Sequence, residues 1–210
     1  MSQPTHPDGG GAGGGAESAS LSDYELIVGV CGGIASYKTA SFVSAAVQRG
    51  AGVTVVMTAA ARKFVTPLTF QSLTGRRVFC SLWNAGDSSD PQHLRLTEQA
   101  DLFIIAPATA NAIGKVASGI ADDLLTTMVM SADCPVLIAP TMNTRMWDNP
   151  IVQRNVSALQ QAGYEIVPPG EGWLACRTVG KGRMAEPETL LARTLERLAN
   201  RPPRKRSGGA

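Results

Sequence analysis

The sequence predicts an α/β protein built on a doubly wound parallel sheet, and three observations carry that prediction. Short runs of consecutive apolar residues recur along the chain, segments of helical spacing separate them, and small or polar residues follow each run. Continuous rather than alternating apolar runs mark strands covered on both faces, and strand-helix alternation places helices on both sides of one sheet. In that architecture ligands bind beyond the C-terminal ends of the strands.

The first run is LIVGV at 26–30. Residues 35–49 follow with Phe42, Val43, Ala46 and Val47 at helical spacing, and Gly50 stands where a helix C-terminus favours a residue at positive φ. The second run is VTVVM at 53–57, after which Thr66-Pro67 opens a helix, because proline at the first helical position gives up an amide that has no partner there. LFIIA at 102–106 is the third strand, with helices expected over 111–118 and 123–130. VLIA at 136–139 is the fourth, followed by a helix from Pro150 to Gln161 that ends near Gly163, and by a short strand at 165–167. A last helix starts at Pro187, places Leu191, Leu195 and Leu198 on one face, and stops before Pro202-Pro203.

A chain of 210 residues with 44% hydrophobic content fits one domain with a sizeable core. Residues 1–20 are rich in Gly, Ser, Ala and Pro and read as a disordered leader, residues 201–210 as a disordered basic tail, and one folded domain spans 24–200. No run approaches the roughly 20 apolar residues of a membrane span, and no signal-peptide pattern opens the chain, so a cytoplasmic location is expected. The formal charge of +2 comes from the ends: without four basic residues after 200 and two acids before 21, the body is neutral. That excludes a bias towards nucleic acid or an anionic membrane. Cys31, Cys80, Cys134 and Cys176 are scattered singly, which predicts neither a metal site nor a disulfide framework.

The segments after the strands supply the candidate site. Gly32 and Gly33 either present amides and a helix N-terminus to a phosphate or form a plain tight turn. Absence of GxGxxG after the first strand and of an acid after the second, where Met57-Thr58 stands, disfavours NAD, and absence of GxxxxGK[ST] disfavours a P-loop, which leaves a mononucleotide. In PATAN, Thr109 and Asn111 are either ligand contacts or a helix cap. Asn143, in PTMNTRMW, either bonds a carboxylate or is a turn residue, while Met142, Met146 and Trp147 read as packing. His93 is the one histidine of the body; base rates make it a cap or surface residue. Cys176 lies among Gly170, Gly172, Gly180 and Gly182 in what reads as a mobile flap, either as a proton donor or as a small apolar residue.

Together these motifs, GGIASYK, His93 in HLRL, PATAN with GIADDLLTT, PTMNTRMW, and LAC with GKGRM, occur in the order found in the homo-oligomeric flavin-containing cysteine decarboxylases, which the chain resembles from Glu25 to about Leu190. The resemblance implies a Rossmann-like (flavodoxin-like), three-layer α/β/α fold and FMN held by Gly32, Gly33, Ile34, Thr58, Thr109, Ala110 and Asn111. It implies His93 as the active-site histidine, Asn143 on the substrate carboxylate, and Cys176 as the proton donor. Arg177, Lys181 and Arg183 are the residues expected to meet a substrate phosphate.

The implied reaction is decarboxylation of phosphopantothenoylcysteine for coenzyme A, through thiol oxidation to a thioaldehyde, CO2 loss and re-reduction of the enethiol, with no metal or NAD. A trimer or trimer-based homo-oligomer and a separate phosphopantothenoylcysteine synthetase are the expected partners, with no nucleic acid and no membrane. Two other readings stand beside it, a peptidyl-cysteine decarboxylase and a non-catalytic phosphatase-regulating subunit. The chain departs from the family pattern at Ala112, where a threonine is frequent, and at Arg177, where glycine is common.

Overall fold

The computed structural model describes residues 20–82 and 92–204. Five parallel strands, β1 (Glu25–Val30), β2 (Gly52–Met57), β3 (Leu102–Ala108), β4 (Val136–Pro140) and β5 (Glu165–Ile166), form a sheet in the order β2-β1-β3-β4-β5. The helices are α1 (Ser36–Gln48), α2 (Pro67–Thr74), α3 (Gln92–Gln99), α4 (Ala110–Ala117), α5 (Leu124–Ser131), α6 (Thr144–Trp147), α7 (Pro150–Gln161) and α8 (Pro187–Leu198). This is the predicted doubly wound sheet in its flavodoxin-like strand order.

Strand alternation divides the core between two faces. Leu26, Val28 and Val30 of β1 pack with Phe42 of α1, Phe70 of α2 and Leu190 of α8, whereas Ile27 and Cys31 pack with Ile113 of α4, Leu125 of α5 and Leu159 of α7. The result is three layers, α/β/α. Gly29 points to the second face, where a Cβ would lie 2.7 Å from Leu125 Cδ1 and 3.2 Å from Phe103 Cε2. Its missing side chain is what lets α5 approach the sheet.

Elements differ from the sequence reading where apolar pattern is weak. β3 runs on to Ala108 through Pro107, with a register shift against β4 between Ile105 and Ala108; a proline offers no ladder amide, and the apolar run alone stops short of it. α3 is polar apart from two leucines, and the 3-10 turn Ala61–Lys63 and α6 are too short to show a period. The glycine-rich flap is a two-stranded antiparallel hairpin, β6 (Gly170–Trp173) with β7 (Val179–Arg183).

The body also reaches beyond 24–200. Leu21 is buried in the first core and its amide bonds the Arg49 carbonyl. At the other end the basic tail, expected to be solvated from residue 201, is tied down as far as Arg204. Buried Asp101 requires donors; its carboxylate accepts the Glu25 amide at 2.7 Å and the Arg204 amide at 2.7 Å, and the Arg204 guanidinium reaches Asp133 and the Glu98 carbonyl. The rest of that tail and all but Ser20 of the leader lie outside the described residues. Among the described residues no helix is long and apolar enough to cross a membrane.

Branching a side chain into the α5 contact tests this packing. Gly29→Val is expected to lower unfolding free energy by about 2 kcal/mol, as overpacking does, with an unchanged denaturant slope in urea titration.

Candidate active site

Parallel strands bring their C-terminal ends to one edge, and β1 turns its connections one way while β3 turns them the other. The segments after β1, β2, β3 and β4 therefore surround a crevice at this switch point. It holds two adjoining cavities that share Gly32, Thr109, Ala110 and Met146 as a common wall. The larger, about 610 Å³, runs along the sheet edge past Thr58, Asn111 and Lys115; the smaller, about 340 Å³, lies under the flap between Gly33, Ile34, Asn143 and Cys176. Met146, expected to be a packing residue, is half exposed and lines both.

The edge cavity is shaped by helix N-termini. A Cβ at Gly32 would overlap Ala60, so the turn after β1 and the turn after β2 press together only because that residue is glycine. α1 then begins at Ala35 with no side-chain cap, whereas Thr109 caps α4 by accepting the Ala112 amide at 3.3 Å and Asp123 caps α5 by accepting the Thr126 amide at 2.9 Å. No side chain caps α1; the Ser36 amide donates to the Gly33 carbonyl at 3.0 Å and the Lys38 amide to the Ala35 carbonyl at 2.9 Å, which closes the first turn beside the cavity. Thr109 serves as cap and wall at once, and Asn111 is left to face the cavity. Thr58 Oγ1 accepts the Ala61 amide at 3.2 Å and braces the opposite wall. Lys115 is held by Asp122 at 2.6 Å and Asp123 at 3.0 Å. Burial pushes the Asp123 carboxyl up, but the Thr126 amide and Lys115 outweigh it and hold the group below the usual range.

The flap is fastened rather than loose. Gly182, at φ +132°, presents its α-carbon to the loop after β4, where a Cβ would overlap the Met142 carbonyl oxygen. Its own carbonyl accepts the Met142 amide at 2.9 Å and the Thr141 hydroxyl at 3.2 Å. Gly180 faces Thr144 in the same way. At the base, buried Lys38 of α1 donates to Glu186 at 2.8 Å and to the Met184 carbonyl, and Glu186 also pairs with Arg183 at 3.1 Å. These flap glycines are contact surfaces, a role that sequence reading had assigned to mobility.

That fastening brings Asn143 and Cys176 together. Asn143 caps α6, its Oδ1 accepting the Arg145 amide at 2.8 Å, so Nδ2 is turned to the flap and donates to Cys176 Sγ at 3.1 Å. Cys176 Sγ also lies 3.1 Å from Thr178 Oγ1. The Thr178 hydroxyl is the largest cause lowering the Cys176 thiol below its ordinary value; burial opposes it, and the Asn143 amide and the backbone amides of Thr178 and Cys176 add to the lowering. Burial instead pushes Cys31 up to about 12 and Cys134 up to about 11, and raises Cys80. Of the four thiols, one is both exposed and acidified.

Other candidates are not gathered in. Arg177, Lys181 and Arg183 do not line either cavity, and Arg183 is committed to Glu186. Arg177 holds φ +64°, the left-handed conformation that suits the glycine common at this position. His93 belongs to α3, but the position of its side chain lies outside what is described. Ala112, at the other departure, is buried against the edge cavity.

A family model described as Flavoprotein matches residues 15–199. The chain belongs to the flavoprotein family. Among curated relatives of this flavoprotein, the coenzyme A biosynthesis bifunctional protein CoaBC of Bacillus subtilis (strain 168) is 49% identical over 171 residues, covering 81% of this chain and 42% of that protein. The chain spans about two fifths of the length of such bifunctional relatives. A Streptococcus mutans protein named "Probable phosphopantothenoylcysteine decarboxylase" is 37% identical over 83% of this chain and 98% of its own. Among solved structures, a cysteine-to-serine mutant of PPC decarboxylase complexed with pantothenoylaminoethenethiol aligns with TM-score 0.73 at 29% identity, over 81% of this chain and 96% of that one. The FMN-dependent cysteine decarboxylase SpaF aligns with TM-score 0.73 at 34% identity, over 86% and 99%.

Sequence reading missed two residues in this flavoprotein's site. Lys38 falls on the apolar stripe of Phe42 and Ala46, a position where a buried charge demands an acidic partner. Thr178 is a hydroxyl two residues beyond a cysteine, and the tight turn between them, with Arg177 at φ +64°, brings the two side chains together.

Two outcomes check the flap geometry. Gly182→Ala is expected to release the hairpin, so that proteolysis within 170–183 accelerates by about tenfold while the global urea midpoint barely moves. In the native wild type at neutral pH, where thiolate governs reactivity, iodoacetamide followed by peptide mapping is expected to modify Cys176 first and to reach Cys31 and Cys134 only on unfolding.

Proposed function

We propose that this flavoprotein is an FMN-dependent phosphopantothenoylcysteine decarboxylase, a cytoplasmic carboxy-lyase of coenzyme A biosynthesis. The observation that carries the reading is the meeting of Asn143 and Cys176 at 3.1 Å in the wall of a cavity that opens beside an uncapped helix N-terminus. The names of the relatives, and the enethiol in a solved neighbour, support it.

The crevice suits FMN by its shape and donors. Gly33 and the first amides of α1 would take the phosphate, while Gly32, Ile34, Thr58, Thr109, Ala110 and Asn111 would border the rest. FMN bound there would supply a reversible two-electron acceptor for the substrate thiol.

The chain's own residues do the remaining work. A carboxylate only accepts hydrogen bonds, so Asn143 would meet it through Nδ2; one Nδ2 hydrogen goes to Cys176 and the other would serve the carboxylate, while Oδ1 accepts the Arg145 amide and fixes the side chain. Met142, Met146, Leu174 and Ala175 line the cavity with apolar surface, which strips water from that carboxylate and favours its loss as neutral CO2. Cys176 then delivers its proton to the carbon that lost CO2. His93, on α3, is assigned to the same site by its place in the motif order. A phosphopantothenoylcysteine synthetase supplies the substrate, and exposed Ile34, Tyr37, Phe64 and Leu68 support assembly into a homotrimer or trimer-based shell.

A peptidyl-cysteine substrate is the second reading, favoured by one observation: among the described residues the cavity under the flap has no cationic wall for a phosphate. Both substrates should be assayed side by side with purified, yellow, FMN-loaded protein. CO2 and phosphopantetheine from the phosphorylated substrate are expected; release from a cysteinyl peptide alone selects the second reading, and release from neither rejects both. Cys176→Ser is expected to cut product formation by roughly a hundredfold or more and to build up the enethiol, detected by mass spectrometry; normal turnover in that variant removes the proton-donor role.

A further inference from the structure

Resting on the decarboxylase reading, we propose that Thr178 is a positioning residue that, with Asn143, forms a two-donor cradle for the Cys176 sulfur. The cradle holds the thiol at the cavity wall and takes the negative charge left on sulfur once the proton has gone to carbon.

The local backbone builds this arrangement. The Leu174 amide donates to the Thr178 carbonyl at 2.8 Å and the Arg177 amide to the Leu174 carbonyl at 2.9 Å, closing a tight turn from 174 to 178. Within it Thr178 Oγ1 and Asn143 Nδ2, one from the flap and one from the loop after β4, each sit 3.1 Å from Cys176 Sγ. A hydroxyl can accept from the neutral thiol and rotate to donate to the thiolate, whereas the amide N–H donates to both.

The charged residues on the elements packed here are Glu171, Arg177, Lys181 and Arg183 of the flap and Arg145 and Asp148 around α6. None makes a hydrogen bond to the sulfur. The lowering at this exposed thiol comes from neutral donors, the Thr178 hydroxyl first, then the Asn143 amide, with the backbone amides of Thr178 and Cys176 adding to them. The S–H bond breaks and its electron pair stays on Sγ, while the π pair of the enethiol C=C bond forms the new C–H bond at the carbon that lost CO2; the thiol-bearing carbon is left electron-poor, and a reduced flavin would supply the hydride it needs in the step that follows. Because Cys176 is exposed, water returns the proton for the next turnover, and no oxidant or reductant enters the step.

The test compares the wild type, Thr178→Val and Thr178→Ser in FMN-loaded protein. The rate of iodoacetamide alkylation at Cys176, located by peptide mapping, is followed from neutral to alkaline pH. Thr178→Val is expected to move the midpoint upward and to slow alkylation at neutral pH by about three- to tenfold, and Thr178→Ser to restore both. An unchanged midpoint in Thr178→Val, or a midpoint in Thr178→Ser that stays with the valine variant, overturns the cradle while leaving the decarboxylase reading in place. If the valine variant does not fold, Thr178→Ala is judged by the same midpoint. Shifted and rescued midpoints in a wild-type protein that releases no CO2 reject the decarboxylase reading and keep the cradle.

Discussion

A parallel sheet whose connections leave β1 and β3 in opposite directions has one place that no crossover helix covers, and the site of this protein depends on that constraint. The loops that end four strands meet there because the strands are in register, with Val30 opposite Met57, Gly29 opposite Ile105 and Ala108 opposite Pro140. Apolar burial on both faces holds that register, since slipping a strand by one residue would exchange the two cores. What each loop then offers depends on small residues: Gly32 allows the turns after β1 and β2 to touch, and Gly33 follows it in the turn whose carbonyl takes the first amide of α1.

The flap adds what the sheet cannot supply. A hairpin of two short strands has little core of its own, and this one exposes Trp173 and Val179 on its outer side. It stays in place because its inner side is glycine, laid against the loop after β4, and because Lys38 and Glu186 fasten its base to α1. The helix that presents amides to the crevice and the hairpin that presents Cys176 are thus one mechanical unit. Asn143 stands at their junction, fixed by its own helix cap, and turns a packing contact into an oriented pair of donors and a thiol.

Much of this was legible in the sequence. The first four strands could be read because a strand covered on both faces must be apolar throughout, and the helices with proline starts could be read because proline leaves a local mark. Gly32, Gly33, Thr58, Thr109, Asn111 and Asn143 could be placed at one edge because each follows a strand, whereas Cys176 was tied to them only through the order of the motifs. The hairpin was hidden because GEGW and VGKGR carry almost no apolar alternation, their strand character coming from contact with a loop some forty residues away. The fastening by Lys38, the donor at Thr178 and the anchoring of Arg204 on Asp101 are pairings distant in sequence or set by a turn, and no local pattern announces them. Arg177, Lys181 and Arg183 are expected near a phosphate by their charge, and in the folded chain they lie outside the lining of the two cavities.

The central claim is that the crevice at the β1–β3 switch, closed by the fastened flap, is where the flavin and the acidified thiol meet. A crystal structure of the FMN-loaded chain tests it most directly. The account predicts the phosphate on the amides between Gly33 and the start of α1, with the flavin ring in the crevice on the side of Asn143 and Cys176. A phosphate bound away from those amides, or a ring that does not border the cavity under the flap, would contradict it.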